Sequence, residues 1–217
     1  MTGLSGTPEK QLSQVIRDRR ATPHFEATPV AFEDLGKILR AGLEAPSGYN
    51  LQPWRFVMVR DAEQRKRLRT AAHNQEKVEQ APVVIVACGD SDAWHGELRD
   101  EVLRISQEHG YGNAAQAGAK IEKDFAKITN VPMWLNRQVM IAFTHMMLMA
   151  EVLGYDTAPM EGYEEEKVQA VLKIPASVRV VALLAIGRRQ SDDKPYGGRL
   201  PLARVVFGEE WGKPLAL

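Results

Sequence analysis

The chain has 217 residues, 44% hydrophobic and 26% charged, the balance of an ordinary globular protein. Lys plus Arg and Asp plus Glu each number 28, so the formal net charge is zero, which argues against a role resting on nucleic-acid backbone contacts. The single cysteine, Cys88, excludes an intrachain disulfide and suits a reducing compartment. Met1 to Gln11 has no apolar run of the secretory kind. The longest apolar stretch, Val139 to Leu153, is too short to span a bilayer and carries His145 and Glu151. A cytoplasmic protein with no membrane and no nucleic-acid partner is expected.

Thr7-Pro8 reads as a helix start, and Leu12, Val15 and Ile16 form a short apolar stripe at helical spacing. That helix ends in Arg17, Asp18, Arg19 and Arg20, where cations suit the negative end of the dipole. Phe32 to Ala45 reads as a second helix, with Leu35, Ile38, Leu39 and Leu43 on one face. The next stretch, Ala45 to Phe56, is unusual for a connection. Pro46 and Pro53 set φ at both ends, Gly48 allows close backbone approach, and Ser47, Asn50 and Gln52 add uncharged polar groups. Trp54 anchors it. Such a loop is either a grip for the edge of a planar heterocycle or an irregular connection.

Phe56 to Val59 is a short strand, and Asp61 with Gln64 resembles a capping box for a polar helix through Ala72. Asn74 to Glu79 is a short turn or helix, and Val83 to Cys88 a buried strand in which Cys88 is a core thiol. Leu98, Val102 and Ile105 mark one amphipathic helix; Ala114, Ala117, Ile121, Phe125 and Ile128 mark another. Gly110 to Ala115 matches G-x-G-x-x-A but follows a charged helix rather than a strand, so it is a decoy. Trp134 to Leu153, apolar on nearly every side and holding four of the eight methionines, predicts a central, fully buried helix stopped by Gly154. His145 within it reads as a satisfied core histidine. Thr157 to Tyr163 reads as a Pro/Gly loop, Glu164 to Leu172 as a helix and Val178 to Ile186 as the central strand. Gly197 to Pro201 is a loop with one cation, and Ala203 to Phe207 a candidate last strand. The tail, residues 208–217, with Trp211, Pro214 and Leu215, cannot bury itself and suits a partner chain. With no repeats or linkers, a single α+β domain over residues 1–217 is expected.

The five histidines form no metal-ligand spacing, and there is no nucleophile elbow or Walker A loop. No metal site and no side-chain catalytic residue is expected; an enzyme built this way would rely on a cofactor.

Six blocks in order resemble the nitroreductase family of flavin-dependent oxidoreductases. They are Arg19-Arg20-Ala21-Thr22-Pro23-His24-Phe25, Ala45 to Phe56, Asn74-Gln75-Glu76-Lys77, the helix ending at Gly154, Pro159-Met160-Glu161-Gly162-Tyr163, and Arg199-Leu200-Pro201. The resemblance implies an α+β fold with a central, mostly antiparallel sheet surrounded by helices, in an intertwined homodimer whose C-terminal arm (208–217) lies on the partner. It implies FMN as cofactor and NADH or NADPH as donor. By that resemblance Arg19, Arg20, Ala21 and Arg199 lie at the flavin phosphate. Pro46, Ser47, Gly48, Asn50 and Gln52 serve the partner's flavin, and Asn74 and Lys77 face the polar ring edge. Pro159, Met160, Glu161 and Gly162 bring backbone near flavin N5. Hydride would pass from NAD(P)H through N5 to a nitroaromatic, quinone or similar small-molecule acceptor in ping-pong fashion. The alternatives are a flavin-binding or sensing protein with little turnover, or a specialised relative such as a reductive dehalogenase or flavin-degrading enzyme. Residues 93–132 would form a variable lid; Tyr111 and Phe125 within it and Trp134 just beyond it either line the acceptor space or pack in a core. Ala21, Pro23 and Gly197 depart from the family pattern, shifting phosphate binding toward Arg19 and Arg199 and ring stabilisation toward Lys77.

Overall fold

The computed structural model describes residues 12–191 and 195–215. The helix start expected at Thr7-Pro8 lies outside the described residues. The chain forms α1 (Leu12–Asp18), α2 (Phe32–Leu43), β1 (Trp54–Val59), α3 (Ala62–Ala71), α4 (Glu76–Gln80), β2 (Val83–Asp90), α5 (Gly96–Glu108), α6 (Ala114–Phe125), α7 (Val131–Val152), β3 (Asp156–Met160), α8 (Glu165–Leu172) and β4 (Val178–Gly187). The strands make one sheet in the order β1-β2-β4-β3, with every neighbouring pair antiparallel.

β2 and β4 are central and carry the apolar runs that a strand buried on both faces requires. Alternation divides them between two cores. Val83, Ile85, Ala87, Leu184 and Ile186 join α2 and α7 on one face. Val84, Val86, Cys88, Leu183 and Ala185 join α3, α4 and α8 on the other. The register slips between Ala87 and Cys88, which pair with Ala182 and Val180. Val181 is the extra residue, so Val181 and Ala182 both face the α2/α7 core while Val180 and Leu183 face the other. At the end of β4 a Cβ on Gly187 would stand 2.6 Å from Pro82 Cδ and 3.0 Å from Phe25 Cδ1, so only glycine fits there.

α7 starts earlier than the apolar pattern suggested. Asn130 accepts a hydrogen bond from Met133 N at 3.0 Å, with Pro132 in the first turn. It is buried along one side only, through Leu135, Val139, Ala142, Phe143, Met146 and Ala150. Met133 and Ile141 are exposed, which corrects the expectation of a fully buried helix. A helix laid on a sheet within one chain has one face for the sheet and one left over. α1 behaves alike: Val15 is buried while Leu12 and Ile16 are exposed. His145 is a half-buried, satisfied histidine, its Nδ1 lying 3.2 Å from Ala41 O of α2.

Other expectations shift in detail. Thr157 to Met160, read as loop, is the edge strand β3, paired with Leu183 to Ile186. Pro159 is tolerated because an edge strand leaves one side of its ladder unpaired. Ala203 to Phe207 is no strand; Leu202–Arg204 is a single 3₁₀ turn. In α3 the capping box is half made. Asp61 accepts from Gln64 N at 2.8 Å, but the Gln64 side chain donates to Val171 O instead of returning. In α5 the buried residues are Leu103 and Ser106, while Ile105 faces out. Gly110 to Ala115 connects α5 to α6 with no preceding strand, so the G-x-G-x-x-A match has no dinucleotide-binding context. Cys88 is buried, and desolvation, followed by the nearby Glu165 charge, pushes its thiol up to about 12, as befits an inert core group. No helix among the described residues is long and apolar enough to cross a membrane.

Candidate functional site

Three of the sequence blocks converge around the free edge of β3. The chain leaving α1 runs beside this strand: Thr22 N donates to Thr157 O at 3.0 Å, and Ala21 forms a parallel bridge with Thr157. That docking places Arg19 and Arg20 at the sheet edge. Arg20 Nη1 turns back onto the end of α1, donating to the carbonyls of Arg17, Asp18 and Arg19 at 2.6, 3.0 and 3.0 Å. Arg19 differs, since its Nη1 is buried without a hydrogen-bond partner. A buried cationic donor left unpaired is costly, and such a group is a natural ligand for an anion. Arg199 reaches the same place from the far end of the chain. Its guanidinium carbon lies 5.2 Å from the centre of the Tyr196 ring, and that of Arg20 lies 4.8 Å from it.

At the other end of β3, Pro159 and the buried Met160 lead to exposed Glu161 and Gly162. Gln75 Nε2 donates to Gly162 O at 2.7 Å, which ties this turn to the Asn74 loop. A Cβ on Gly162 would stand 3.4 Å from Gln75 Nε2 and 3.7 Å from His73 Cδ2, in contact with the Asn74 loop. His73 and Asn74 both hold positive φ, 52° and 57°. Lys77 follows on α4, half-buried, one residue before the core residue Val78. Tyr163 closes the turn by donating from its hydroxyl to Val180 O at 2.8 Å; burial raises its pKa above the phenol range.

The Pro46 to Gln52 loop is anchored elsewhere. Gly48 N donates to Gln138 Oε1 of α7 at 2.7 Å, and Ser47 Oγ accepts from Gln52 N at 2.9 Å. Asn50 Nδ2 reaches Ser106 Oγ of α5 at 3.4 Å. Tyr49, Asn50 and Gln52 all have positive φ. Of the seven non-glycine residues with positive φ among the described residues, five lie in this loop or the Asn74 loop. Such strain persists only where surrounding contacts impose it, and it concentrates at functional loops. Tyr49 also donates its hydroxyl to Asp124 Oδ2 of α6, while Lys120 Nζ donates to Tyr49 Oη and Asp124 Oδ2 at 2.6 and 2.7 Å. Hydrogen bonds from Lys120 and then Tyr49 hold the Asp124 carboxyl well below the usual carboxylate range.

Phe125 and Trp134, expected either to line the acceptor space or to pack in a core, are brought together with ring centres 4.9 Å apart, against the small buried cluster of Leu51, Ala93, Leu103 and Ile121. Trp94 completes the group, stacked on Phe125 at 4.8 Å and edge-on to Trp134 at 5.0 Å. Tyr111 is not part of it and is 71% exposed in the α5–α6 connection. Trp94, Gln75, Gln138 and Tyr196 were not singled out from sequence. Gln75 stood inside a quoted block, whereas Trp94, Gln138 and Tyr196 carried no local signal.

The nitroreductase family model matches residues 16–188. The chain is 38% identical over 191 residues to the NADH dehydrogenase of Thermus thermophilus, covering 87% of this chain and 91% of that one. It is 27% identical to the candidate NAD(P)H nitroreductase MhqN of Bacillus subtilis, covering 90% and 98%. Among solved structures, a candidate nitroreductase from Exiguobacterium sibiricum in complex with FMN superposes with a TM-score of 0.84 at 22% identity, covering 94% of this chain and all of that one. The chain belongs to the nitroreductase family.

Proposed function

We propose that this chain is an FMN-dependent NAD(P)H oxidoreductase that reduces small acceptors such as nitroaromatics or quinones. The observation that carries the reading is Arg19 Nη1, a buried cationic donor with no partner, set at the edge strand leading to Pro159 to Gly162. The described residues fit FMN at both ends: cations for a phosphate, and an uncharged polar junction for a heterocycle edge. Relatives named as NADH dehydrogenase and NAD(P)H nitroreductase support a nicotinamide donor. Bound FMN would supply what the side chains lack, a centre that takes hydride from NAD(P)H and passes it to an acceptor in ping-pong order.

The residues then divide the work. Arg19 and Arg199, with Arg20 beside them, hold the phosphate. Asn74 and Lys77 meet the polar ring edge, and Lys77 stabilises negative charge on the reduced ring. Gln75 fixes the Gly162 turn so that its backbone faces the cofactor. A second copy of the chain covers the exposed apolar residues Leu12, Ile16, Met133, Ile141 and Trp211. Through that contact Pro46, Ser47, Gly48, Asn50 and Gln52 serve the partner's cofactor. The tail turns back locally, with Phe207 and Trp211 ring centres 4.8 Å apart, and Trp211 is 93% exposed, ready to lie on the partner. Residues 93–132 act as the lid. Reduced Cys88 and the absence of a spanning helix among the described residues fit a cytoplasmic site of action.

The test is direct. Purified protein should be yellow, run as a dimer in sedimentation, and bleach anaerobically with NADH or NADPH before reoxidation by an acceptor panel. Colour without bleaching would favour a binding protein. Colourless protein that cannot be reconstituted with FMN overturns the reading.

A further inference from the structure

We infer that Tyr196 is a positioning residue for the phosphate end of the site, its ring gathering the Arg20 and Arg199 guanidiniums so that they share one phosphate monoester with Arg19. The inference rests on the flavin reading above and adds a residue that lies outside every motif block.

Arg20 and Arg199 are separated by most of the chain, yet their guanidinium carbons lie 4.8 and 5.2 Å from the centre of one ring. Both distances fall within the range at which a cation is attracted to an aromatic face. Two like charges brought to one place repel, and something must offset that repulsion. The Tyr196 ring is the offset the structure shows, and an anion would complete it. Arg20 has little freedom to reach outward on its own, because its Nη1 is committed to three carbonyls at the end of α1. Arg199 Nη1 donates to its neighbour's carbonyl, Gly198 O, at 2.6 Å, leaving the ring as its long-range anchor. The hydroxyl of Tyr196 plays no part in these contacts, and the residue is 54% exposed, so it contributes little to the core. The face of the ring is what matters.

Riboflavin has the flavin ring without the phosphate, so it separates the two ends of the site. Binding of FMN and of riboflavin to the wild-type chain, Tyr196→Ala and Tyr196→Phe is measured by quenching of flavin fluorescence. Tyr196→Ala should weaken FMN about tenfold, the scale of two cation–ring contacts. It should leave riboflavin affinity and the melting temperature unchanged, and Tyr196→Phe should restore FMN binding. Equal losses for both ligands, no loss for FMN, or failure of Tyr196→Phe to rescue overturns the inference while leaving the flavin reading intact. A wild-type chain that binds neither ligand overturns the flavin reading and the inference with it.

Discussion

Against the sheet, α7 lays down Leu135, Val139, Ala142, Phe143, Met146 and Ala150, and α2 closes over them. The α5–α6 segment is held by much less: Leu51, Ala93, Leu103 and Ile121 are buried, with Trp94, Phe125 and Trp134 packed at the margin. Its remaining ties are largely surface ion pairs, such as Arg99 with Glu122 at 2.6 Å and Lys120 with Asp124 at 2.7 Å. Exposed pairs of this kind contribute little. Regions with few buried apolar contacts open at lower free energy than the global fold. The difference separates two jobs. The Arg19 edge and the Gly162 turn, where we propose that FMN is held, hang on the sheet. The α5–α6 segment, which we propose as the lid, hangs on the thin core.

The largest expected effect tests the sheet side. Phe143→Ala should cost about 3–5 kcal/mol, because a fully buried ring leaves a cavity between α7 and the sheet. Thermal unfolding should shift by roughly 10 °C. A shift no larger than that of an exposed-site control would mean the α7 core is not the main support. Next comes Arg19→Ala. Removing one charge-assisted contact should weaken FMN by about 10- to 100-fold. The apoprotein should melt no lower than wild type, since the lost Nη1 had no partner. A destabilised apoprotein with unchanged FMN affinity would make Arg19 a structural residue.

Lys77→Met should lower the potential of the bound flavin by about 30 mV, a tenfold change in a two-electron equilibrium. An unchanged potential in spectroelectrochemical titration would remove Lys77 from the ring-stabilising role. The smallest effect belongs to Asp124→Asn, which loosens α6 from Tyr49. Melting should stay at the wild-type value while proteolysis within α6 quickens. The pH dependence has a defined sign. The folded pKa of Asp124 is depressed, so its contribution is complete above the ordinary carboxylate value of about 3.9 and fades as pH falls through the folded value. Tryptophan fluorescence of wild type should show an acid step below about pH 4 that the variant lacks; equal titrations would show that the contact is not formed.

Much of this architecture was legible in residue order. Val83 to Cys88 and Val178 to Ile186 are apolar runs too short for buried helices, and they are the two central strands. The motif blocks around Arg19, Pro46, Asn74, Pro159 and Arg199 marked loops that the fold does set apart by strain, exposure or unpaired charge. Thr157 to Met160 misled because Pro159, with Gly162 just beyond, carries a strong local turn signal. Its strand state comes from four long-range pairings with β4, which outweigh local preference.

Chain order alone therefore determined the central strands, the long α7 and the family, because each is written in local periodicity or a contiguous motif. Tertiary structure decided which residues meet. It placed Gln75 on Gly162, Trp94 against both Phe125 and Trp134, Gln138 on Gly48, and Arg20 and Arg199 on one Tyr196 ring. It also decided that one face of α7 stays exposed. These contacts join residues distant along the chain, and their geometry follows from how the elements pack on the sheet, which no local pattern encodes.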